Sequence, residues 1–247
     1  MAIDMKAMRA KLSALKNGGQ RNVFWRPQDG DQDVRIVTPE DGDPFKDYYF
    51  HYNVGNNSGF LCPKKNHGHD CAVCSFVRAL YDEGTEESIK MAKSLTARQR
   101  FFSPVVVRGE EKEGVRIWGY GKTAYETLLN LVLNPDYGDI TDVDEGTDLT
   151  INYGKPAGAS FPQTKIQPRR RTSALVETPE QVAELLTNIP EFEALFEKKT
   201  SEDVEALLDA FLSDDEDAEN RSSESVRYGK SESETNSVDE AFDQLLS

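Results

Sequence analysis

Residues 50–76, FHYNVGNNSGFLCPKKNHGHDCAVCSF, contain all three cysteines and all three histidines of the 247-residue chain. Cys71 and Cys74 form a Cys-x-x-Cys pair, and Cys62 precedes this pair by nine residues. Three thiolates and one histidine provide the four ligands of a closed tetrahedral zinc site. The stretch therefore predicts one structural Zn²⁺ that fastens the helix expected after Cys74 to the strand expected before Cys62.

Two other interpretations of the cysteines are open. They could be buried apolar residues or a disulfide with one thiol left over, or they could contain a redox Cys-x-x-Cys pair. The sequence shows no secretory signal and no long apolar run, so we expect an intracellular chain with reduced thiols. No thioredoxin-like pattern of strands and helices surrounds the pair. These features favour zinc.

The histidine that completes the site is His51, His67 or His69. His67 and His69 lie in a short polar segment between the cysteines, which suits a ligand and equally suits a solvated turn. His51 belongs to a run of β-forming aromatic residues at 48–52, and a histidine on a strand has fewer rotamers to lose on binding. We expect His51 to be the ligand, with His67 and His69 as the alternatives.

The spacing of these residues resembles that of the T-even bacteriophage single-stranded DNA-binding protein family, the helix-destabilising replication proteins. The family pattern is a histidine, a later cysteine and a Cys-x-x-Cys at the start of a short helix. Here it falls on His51, Cys62, Cys71 and Cys74. A basic N-terminal segment, an aromatic and basic core and an acidic tail with terminal hydrophobic residues extend the resemblance over most of the chain.

The resemblance implies a mainly β, α+β architecture, with an oligonucleotide/oligosaccharide-binding (OB) core and an inserted structural zinc subdomain. It implies cooperative, non-sequence-specific binding of single-stranded DNA in phage DNA replication, recombination and repair. It further implies that the protein is not an enzyme and that its acidic tail contacts polymerase, helicase loader or primase components. The implied location is the cytoplasm of the infected bacterial host, without membrane attachment.

The net charge of −15 argues against a nucleic-acid partner unless positive charge is clustered. Residues 213–247 contain 11 acidic and 3 basic residues, a net −8, which leaves −7 for residues 1–212. Two tracts, residues 88–108 and 160–172, contain five and four basic residues and no acidic one. We expect contacts with phosphate in these tracts.

The strand predicted at residues 115–120 alternates Val115, Ile117 and Gly119 on one face with basic and aromatic residues on the other. There, Arg116, Trp118 and Tyr120 share one face, as single-strand binders require when bases stack on rings and cations follow phosphates. Aromatic residues in strands are also ordinary core residues, so both interpretations are open. With the preceding strand, the tyrosines and the basic tracts, the predicted DNA-binding residues are Tyr48, Tyr49, Tyr52, Lys93, Arg98, Arg100, Phe102, Arg116, Trp118, Tyr120, Lys165, Arg169, Arg170 and Arg171.

Three segments are predicted along the chain. Residues 1–20 form a basic amphipathic arm, residues 21–212 form the core with a zinc subdomain at about 50–82, and residues 213–247 form a disordered acidic tail. The arm could be a terminal helix packed on its own core, but the resemblance implies self-association along DNA through Lys6, Arg9, Lys11 and Lys16. The tail ends in apolar positions at helical spacing, which predict a partner-docking peptide with Phe242, Leu245 and Leu246.

Periodicity predicts the remaining elements of the core. Strands are expected at residues 33–37, 45–53, 98–108, 115–120 and 149–153, and a flexible connection at residues 154–168. Helices are expected at residues 75–82, 86–95, 123–133, 179–188, 191–197 and 201–212.

Two alternative functions belong to other classes. A zinc-ribbon adaptor would bind proteins only. A zinc-dependent nucleic-acid enzyme would use His67 or His69 as a ligand. The deaminase signature places a glutamate two residues after a histidine, whereas His69 and Cys71 occupy these positions here. No nucleophile elbow or phosphate-binding glycine loop is present either.

Overall fold

The computed structural model describes residues 23–55 and 57–221, without the side chains of residues 57, 58, 193 and 214–221. The predicted arm at residues 1–20 and residues 222–247 of the predicted tail lie outside the described residues. The described residues divide into two compact units, the first at 23–47 and 100–195 and the second at 48–99 and 196–221.

The described residues form eight strands, seven α-helices and one 3-10 turn at Glu111–Glu113. The strands are β1 (Phe24–Trp25), β2 (Gly30–Ile36), β3 (Lys46–Val54), β4 (Asn57–Leu61), β5 (Arg98–Val107), β6 (Arg116–Tyr120), β7 (Thr147–Gly154) and β8 (Gln163–Thr172). The helices are α1 (Pro63–His67), α2 (Ala72–Glu83), α3 (Glu86–Leu95), α4 (Lys122–Val132), α5 (Pro179–Thr187), α6 (Phe192–Leu195) and α7 (Ser201–Arg221). The predicted α+β class is confirmed.

The sheet of the first unit has the strand order β1-β6-β5-β2-β7-β8. β1 pairs with β6 in parallel, and the other neighbours in this order are antiparallel. Its core contains alternating residues of β2 and β5, such as Val34, Ile36 and Val105, and two residues of α4, Ala124 and Leu128. The sheet is therefore mixed and carries α4 against its apolar side.

The strand β8 corrects the flexible connection predicted at residues 154–168. Thr164, Ile166 and Pro168 are partly buried, whereas the residues between them are exposed, so β8 has the alternation of a strand with one covered face. β8 ends the strand order, and a proline is tolerated on such an edge because no ladder hydrogen bond needs its nitrogen. The prediction failed because glutamine, lysine and proline have little intrinsic strand preference.

The second unit contains the β3–β4 hairpin, helices α1 to α3 and α7. Its core packs Phe60 of the hairpin against Val73 of α2, Leu95 of α3 and Val204 of α7. β4 and α1 were not predicted, because the segment between Asn53 and Cys71 was interpreted as a loop. Both elements lie next to predicted metal ligands, so they bear directly on the geometry of the site.

Helix ends follow their capping residues closely. α3 begins after Thr85, whose side chain accepts a hydrogen bond from the Ser88 N–H, and its bounds are those predicted. α6 is shorter than the predicted 191–197, whereas α7 continues to Arg221, beyond the predicted end at residue 212. The acidic segment predicted from residue 213 therefore begins inside α7 and not after its end.

Among helices within the described ranges, none is long and apolar enough to cross a bilayer.

Candidate metal centre and nucleic-acid interface

Four side chains of the second unit bring their ligand atoms together. His51 Nε2 lies 3.5 Å from Cys71 Sγ and 3.4 Å from Cys74 Sγ, and Cys62 Sγ lies 3.4 Å from Cys74 Sγ. All four ligand atoms lie within 4.8 Å of one another. Tetrahedral zinc with ordinary Zn–S and Zn–N bonds separates its ligand atoms by about 3.5–3.8 Å. The residues therefore fit one zinc ion.

Each ligand is positioned by the end of a secondary-structure element. His51 lies on β3, Cys62 is the N-cap residue of α1, Cys71 is the N-cap residue of α2, and Cys74 lies in the first turn of α2. The Lys65 N–H lies 3.4 Å from Cys62 Sγ, to which it donates. Thiolates are favoured at such positions by the partial positive charge of a helix start. The strand and the two helices thus converge on one point.

The tautomer of His51 follows from its other ring nitrogen. Nδ1 lies 2.8 Å from the carbonyl oxygen of Leu95, which can only accept, so Nδ1 donates the proton. In the neutral ring Nε2 is then the nitrogen with the free lone pair, and it is the one that faces the sulfur atoms of Cys71 and Cys74. A carbonyl that orients a ligating imidazole in this way is a regular partner of metal-bound histidine.

The four groups interact strongly enough to change their proton affinities. Burial opposes a charged His51, but hydrogen bonds and charge interactions with Cys62 and Cys71 outweigh burial and raise the pKa of His51 to about 9. Hydrogen bonds with Cys71 and Cys74 lower the pKa of Cys62, and hydrogen bonds with Cys62 and Cys71 raise the pKa of Cys74. Without metal, the cluster therefore retains protons that a divalent ion would displace.

His67 and His69 lie away from this cluster, and both are exposed. Their ring centroids are 6.3 Å apart, at the C-terminal end of α1 and just beyond it. The four residues that the structure brings together are the ones predicted as ligands, with His51 as the histidine. Because four protein ligands fill a tetrahedral zinc, this arrangement leaves no position for a reactive water.

Three of the aromatic residues predicted to stack on bases are buried in the first unit. Trp118 is 1% exposed, Tyr120 is 5% exposed and Phe102 is fully buried. Trp118 packs edge-on against Trp25, and the Tyr120 hydroxyl lies 2.6 Å from Ser103 Oγ. The prediction that Trp118 and Tyr120 form an exposed face is therefore wrong. β6 lies between β1 and β5 and is covered on both faces, since Ile117 is also fully buried.

The tyrosines of β3 lie in the second unit and differ among themselves. Tyr52 is 2% exposed and stacks beside Phe50, so it is a core residue and not a platform for bases. Tyr48 and Tyr49 are partly exposed. The Lys65 ammonium lies 4.8 Å from the centre of the Tyr49 ring. Tyr48 and Tyr49 are the predicted rings with a surface that a base could reach.

The predicted basic residues outside β8 are partly engaged with the protein itself. Arg116 pairs with Glu110, and both Arg98 and Arg100 are half-buried. Arg98 Nη2 lies 3.5 Å from the carbonyl oxygen of Lys93, whose own side chain is exposed. Arg98, Arg100 and Arg116 are therefore less exposed to solvent than the sequence analysis assumed for phosphate-binding residues.

The four predicted residues of β8 are exposed: Lys165, Arg169, Arg170 and Arg171. In the ladder with β7, Leu149 pairs with Pro168 and Thr147 pairs with Thr172. The three arginines of β8 thus lie opposite a single β7 residue, Asp148, and form a bulge. Arg169 pairs with Asp33, whereas Arg170 and Arg171 extend the exposed basic surface.

A buried ion network behind this bulge was not predicted. Arg35, with a fully buried side chain, lies 2.9 Å from Asp148, and Arg108 lies 2.8 Å from the same carboxylate oxygen. Ser173 Oγ donates to the other oxygen of Asp148 at 3.1 Å. Burial lowers the pKa of Arg35, and the charge of Asp148 opposes that effect. The alternation of β2 places Arg35 on the face away from Val34 and Ile36. The alternation does not indicate that the face with Arg35 is buried as well.

Gly146 lies so close to this network that no side chain fits at its position. A Cβ atom there would lie 2.2 Å from the carbonyl oxygen of Asp142 and 2.6 Å from Arg35 Nη1. Arg35 Nη1 donates to the same carbonyl at 3.0 Å. Only glycine therefore allows the turn before β7 to approach the Arg35 guanidinium.

A family model described as "gp32 DNA binding protein like" matches residues 28–213, three quarters of the chain. The matched range contains the four clustered ligand residues and the β8 bulge. No curated protein matches the sequence.

Proposed function

The chain belongs to the gp32-like DNA-binding protein family, and from this premise we propose that it coats single-stranded DNA cooperatively and without sequence preference. The observation that carries the proposal is the family match over residues 28–213. The setting is phage DNA replication, recombination and repair in the cytoplasm of the infected host. The protein acts by binding, and no step of catalysis is assigned to it.

The exposed arginines of β8 support contact with the DNA backbone. Guanidinium groups form paired hydrogen bonds with phosphate oxygens, and such contacts position a strand without reading its bases. Arg170 and Arg171 lie in a bulge whose other side is fixed by Asp148. A basic surface of this kind suits binding to any sequence, because every nucleotide presents the same phosphate.

The metal has a structural role in this proposal. One Zn²⁺ held by His51, Cys62, Cys71 and Cys74 would join β3 to the starts of α1 and α2. Such an ion contributes to the free energy of folding, since no preformed site exists in the unfolded chain. DNA binding then depends on zinc through the stability of the second unit.

The terminal segments supply cooperativity and partner recruitment in this proposal. The basic residues of the arm, Lys6, Arg9, Lys11 and Lys16, dock on a neighbouring protomer along the DNA. The terminal residues Phe242, Leu245 and Leu246 dock on polymerase, helicase loader or primase components as a peptide that folds on binding. The acidic residues of the tail, most of which precede Phe242, keep it soluble when no partner is present.

A labelled-oligonucleotide titration tests the proposal. Both tryptophans are buried, so the anisotropy of dye-labelled DNA is a better signal than intrinsic fluorescence. We expect oligo(dT) and a mixed-sequence strand to bind alike, and both to bind more tightly than duplex DNA of the same length. Equal affinity for the duplex, or no binding to any DNA, would contradict the proposal, and the latter would favour a protein-only adaptor.

A further inference from the structure

A surface depression of about 480 Å³ lies on the second unit, apart from the metal ligands. None of the residues that line it belongs to the predicted DNA-binding set. The lining combines both ends of α1 and the turn after it with the segment that precedes α7. It consists of Pro63, His67, His69, Lys198, Lys199 and Thr200.

One wall of the depression is shaped by the turn that ends α1. Gly68 has a left-handed conformation with φ of 73°, which glycine adopts without strain, and its N–H bonds to the Lys64 carbonyl. The His69 N–H bonds to the Pro63 carbonyl at 3.2 Å. The turn therefore brings His67 and His69 side by side, with 6.3 Å between their ring centroids.

The opposite wall is fixed by the start of α7. The Asp203 N–H bonds to Thr200 Oγ1 at 3.1 Å, and the Thr200 N–H bonds to the Asp203 carboxylate at 2.9 Å, as in a capping box. The Ser201 hydroxyl donates to the Asp70 carbonyl at 2.9 Å and so links the two walls. The depression is thus preformed by hydrogen bonds within the second unit.

The lining offers cationic and N–H groups to a ligand. It contains two lysines and two histidines, and no carboxylate belongs to it among the residues that the structure describes. Glu197 approaches Lys199 at 3.7 Å, but its side chain is 84% exposed, and such surface pairs are weak. The Asp203 carboxylate is occupied by the N–H and the hydroxyl of Thr200. An anion would therefore meet the imidazole N–H groups of His67 and His69 on one wall and the Lys199 ammonium on the other.

We propose that this depression binds a backbone phosphate of single-stranded DNA and so adds a contact on the zinc-bearing unit. The inference rests on the proposed function. Lysine ammonium groups and imidazole N–H groups bind phosphate oxygens through charge-assisted hydrogen bonds. A strand that already meets other cations of the protein supplies phosphates at regular intervals, and the contact requires no particular base.

A pair of charge-matched variants tests this contact. Lys198→Ala with Lys199→Ala removes two cations from the depression, and Lys112→Ala with Lys122→Ala removes two exposed lysines elsewhere. Each phosphate contact to a single strand contributes about 0.7 to the slope of log K against log salt concentration. Because both lysines would meet the same phosphate, we expect the first variant to lower the slope for oligo(dT) by about 0.7 and the control variant to leave it unchanged.

A second variant tests the histidine wall. His67→Ala with His69→Ala should weaken binding of oligo(dT) at low salt while the zinc content stays at one ion per chain. The ring resonances of His67 and His69, followed by NMR in the wild-type protein, should shift on addition of oligo(dT). Retained zinc would separate a direct contact from damage to the neighbouring metal centre.

The outcomes distinguish this inference from the proposed function. If wild-type protein binds oligo(dT) with salt dependence but both double-lysine variants keep its slope, the depression is not a DNA contact and the proposed function stands. If inorganic pyrophosphate shifts the histidine resonances and oligo(dT) does not, the depression binds small phosphates and the inference is overturned. If wild-type protein binds no oligo(dT), the proposed function and this inference both fail.

Discussion

His51 Nδ1 lies 2.8 Å from the carbonyl oxygen of Leu95, the last residue of α3. This hydrogen bond leaves Nε2 facing the three thiols and ties the end of α3 to the metal ligands. A zinc ion bound by the four residues would therefore also stabilise α3, a helix that contributes no ligand. Loss of the metal should loosen β3, α2 and α3 of the second unit together.

We predict that chelation of zinc lowers the melting temperature. An ion present at about 1,000 times its Kd stabilises the folded state by about 4 kcal/mol, which shifts the Tm of a chain of this size by roughly 8–16 °C. Differential scanning calorimetry of metal-loaded and chelator-treated protein measures the shift. An unchanged Tm after verified removal of the ion would contradict a structural metal.

We predict that His51→Ala, Cys62→Ala, Cys71→Ala and Cys74→Ala each lose zinc, because each removes one of four ligands. His67→Ala and His69→Ala should retain one ion per chain, since both side chains lie outside the cluster. Elemental analysis of purified variants provides the measurement. Zinc loss from His67→Ala or His69→Ala, with zinc retained in His51→Ala, would contradict the assigned ligand set.

We predict that Asp148→Ala strongly destabilises the first unit. It leaves the buried Arg35 and the partly buried Arg108 without their shared carboxylate. Removal of one partner from a buried ion pair costs about 3–5 kcal/mol. Urea unfolding followed by circular dichroism measures the change. Glu126→Ala, which removes an exposed partner of Lys122, is the control and should cost at most about 1 kcal/mol.

We predict that Gly146→Ala destabilises the protein by at least about 2 kcal/mol, because a Cβ atom would collide with the Asp142 backbone. Gly121→Ala is the control, since its nearest neighbour is the side chain of Arg100 at 3.4 Å, which can move. Both variants are compared by urea unfolding. Equal stability of the two variants would show that the Asp142 backbone can move away from an added Cβ atom without loss of folding free energy.

We predict that Trp118→Phe and the double variant Arg170→Ala with Arg171→Ala affect different properties. Trp118→Phe should reduce stability through lost core packing and leave the salt slope of oligo(dT) binding unchanged, because Trp118 is buried. The arginine variant should keep its stability and lower the slope by about 1.4. A reduced slope for Trp118→Phe would indicate that the ring contacts DNA after all.

The sequence was most informative where local chemistry decides the structure. The cluster of His51 with the three cysteines could be predicted because thiols and imidazole at this spacing have few other uses, and α3 could be predicted from the helical spacing of its apolar residues. The face of Trp118 and Tyr120 was predicted wrongly because alternation on β6 does not reveal that both of its faces are covered. β8 and the buried state of Arg35 depend on partners far along the chain, Asp148 above all, which no local pattern indicates.

The salt dependence of oligo(dT) binding by the zinc-loaded full chain tests the central claim most directly. We predict that log K falls linearly with log salt concentration, with a slope that corresponds to several phosphate contacts at about 0.7 each. A slope of zero, or no measurable binding at low salt, would show that this acidic chain has no cationic surface for single-stranded DNA.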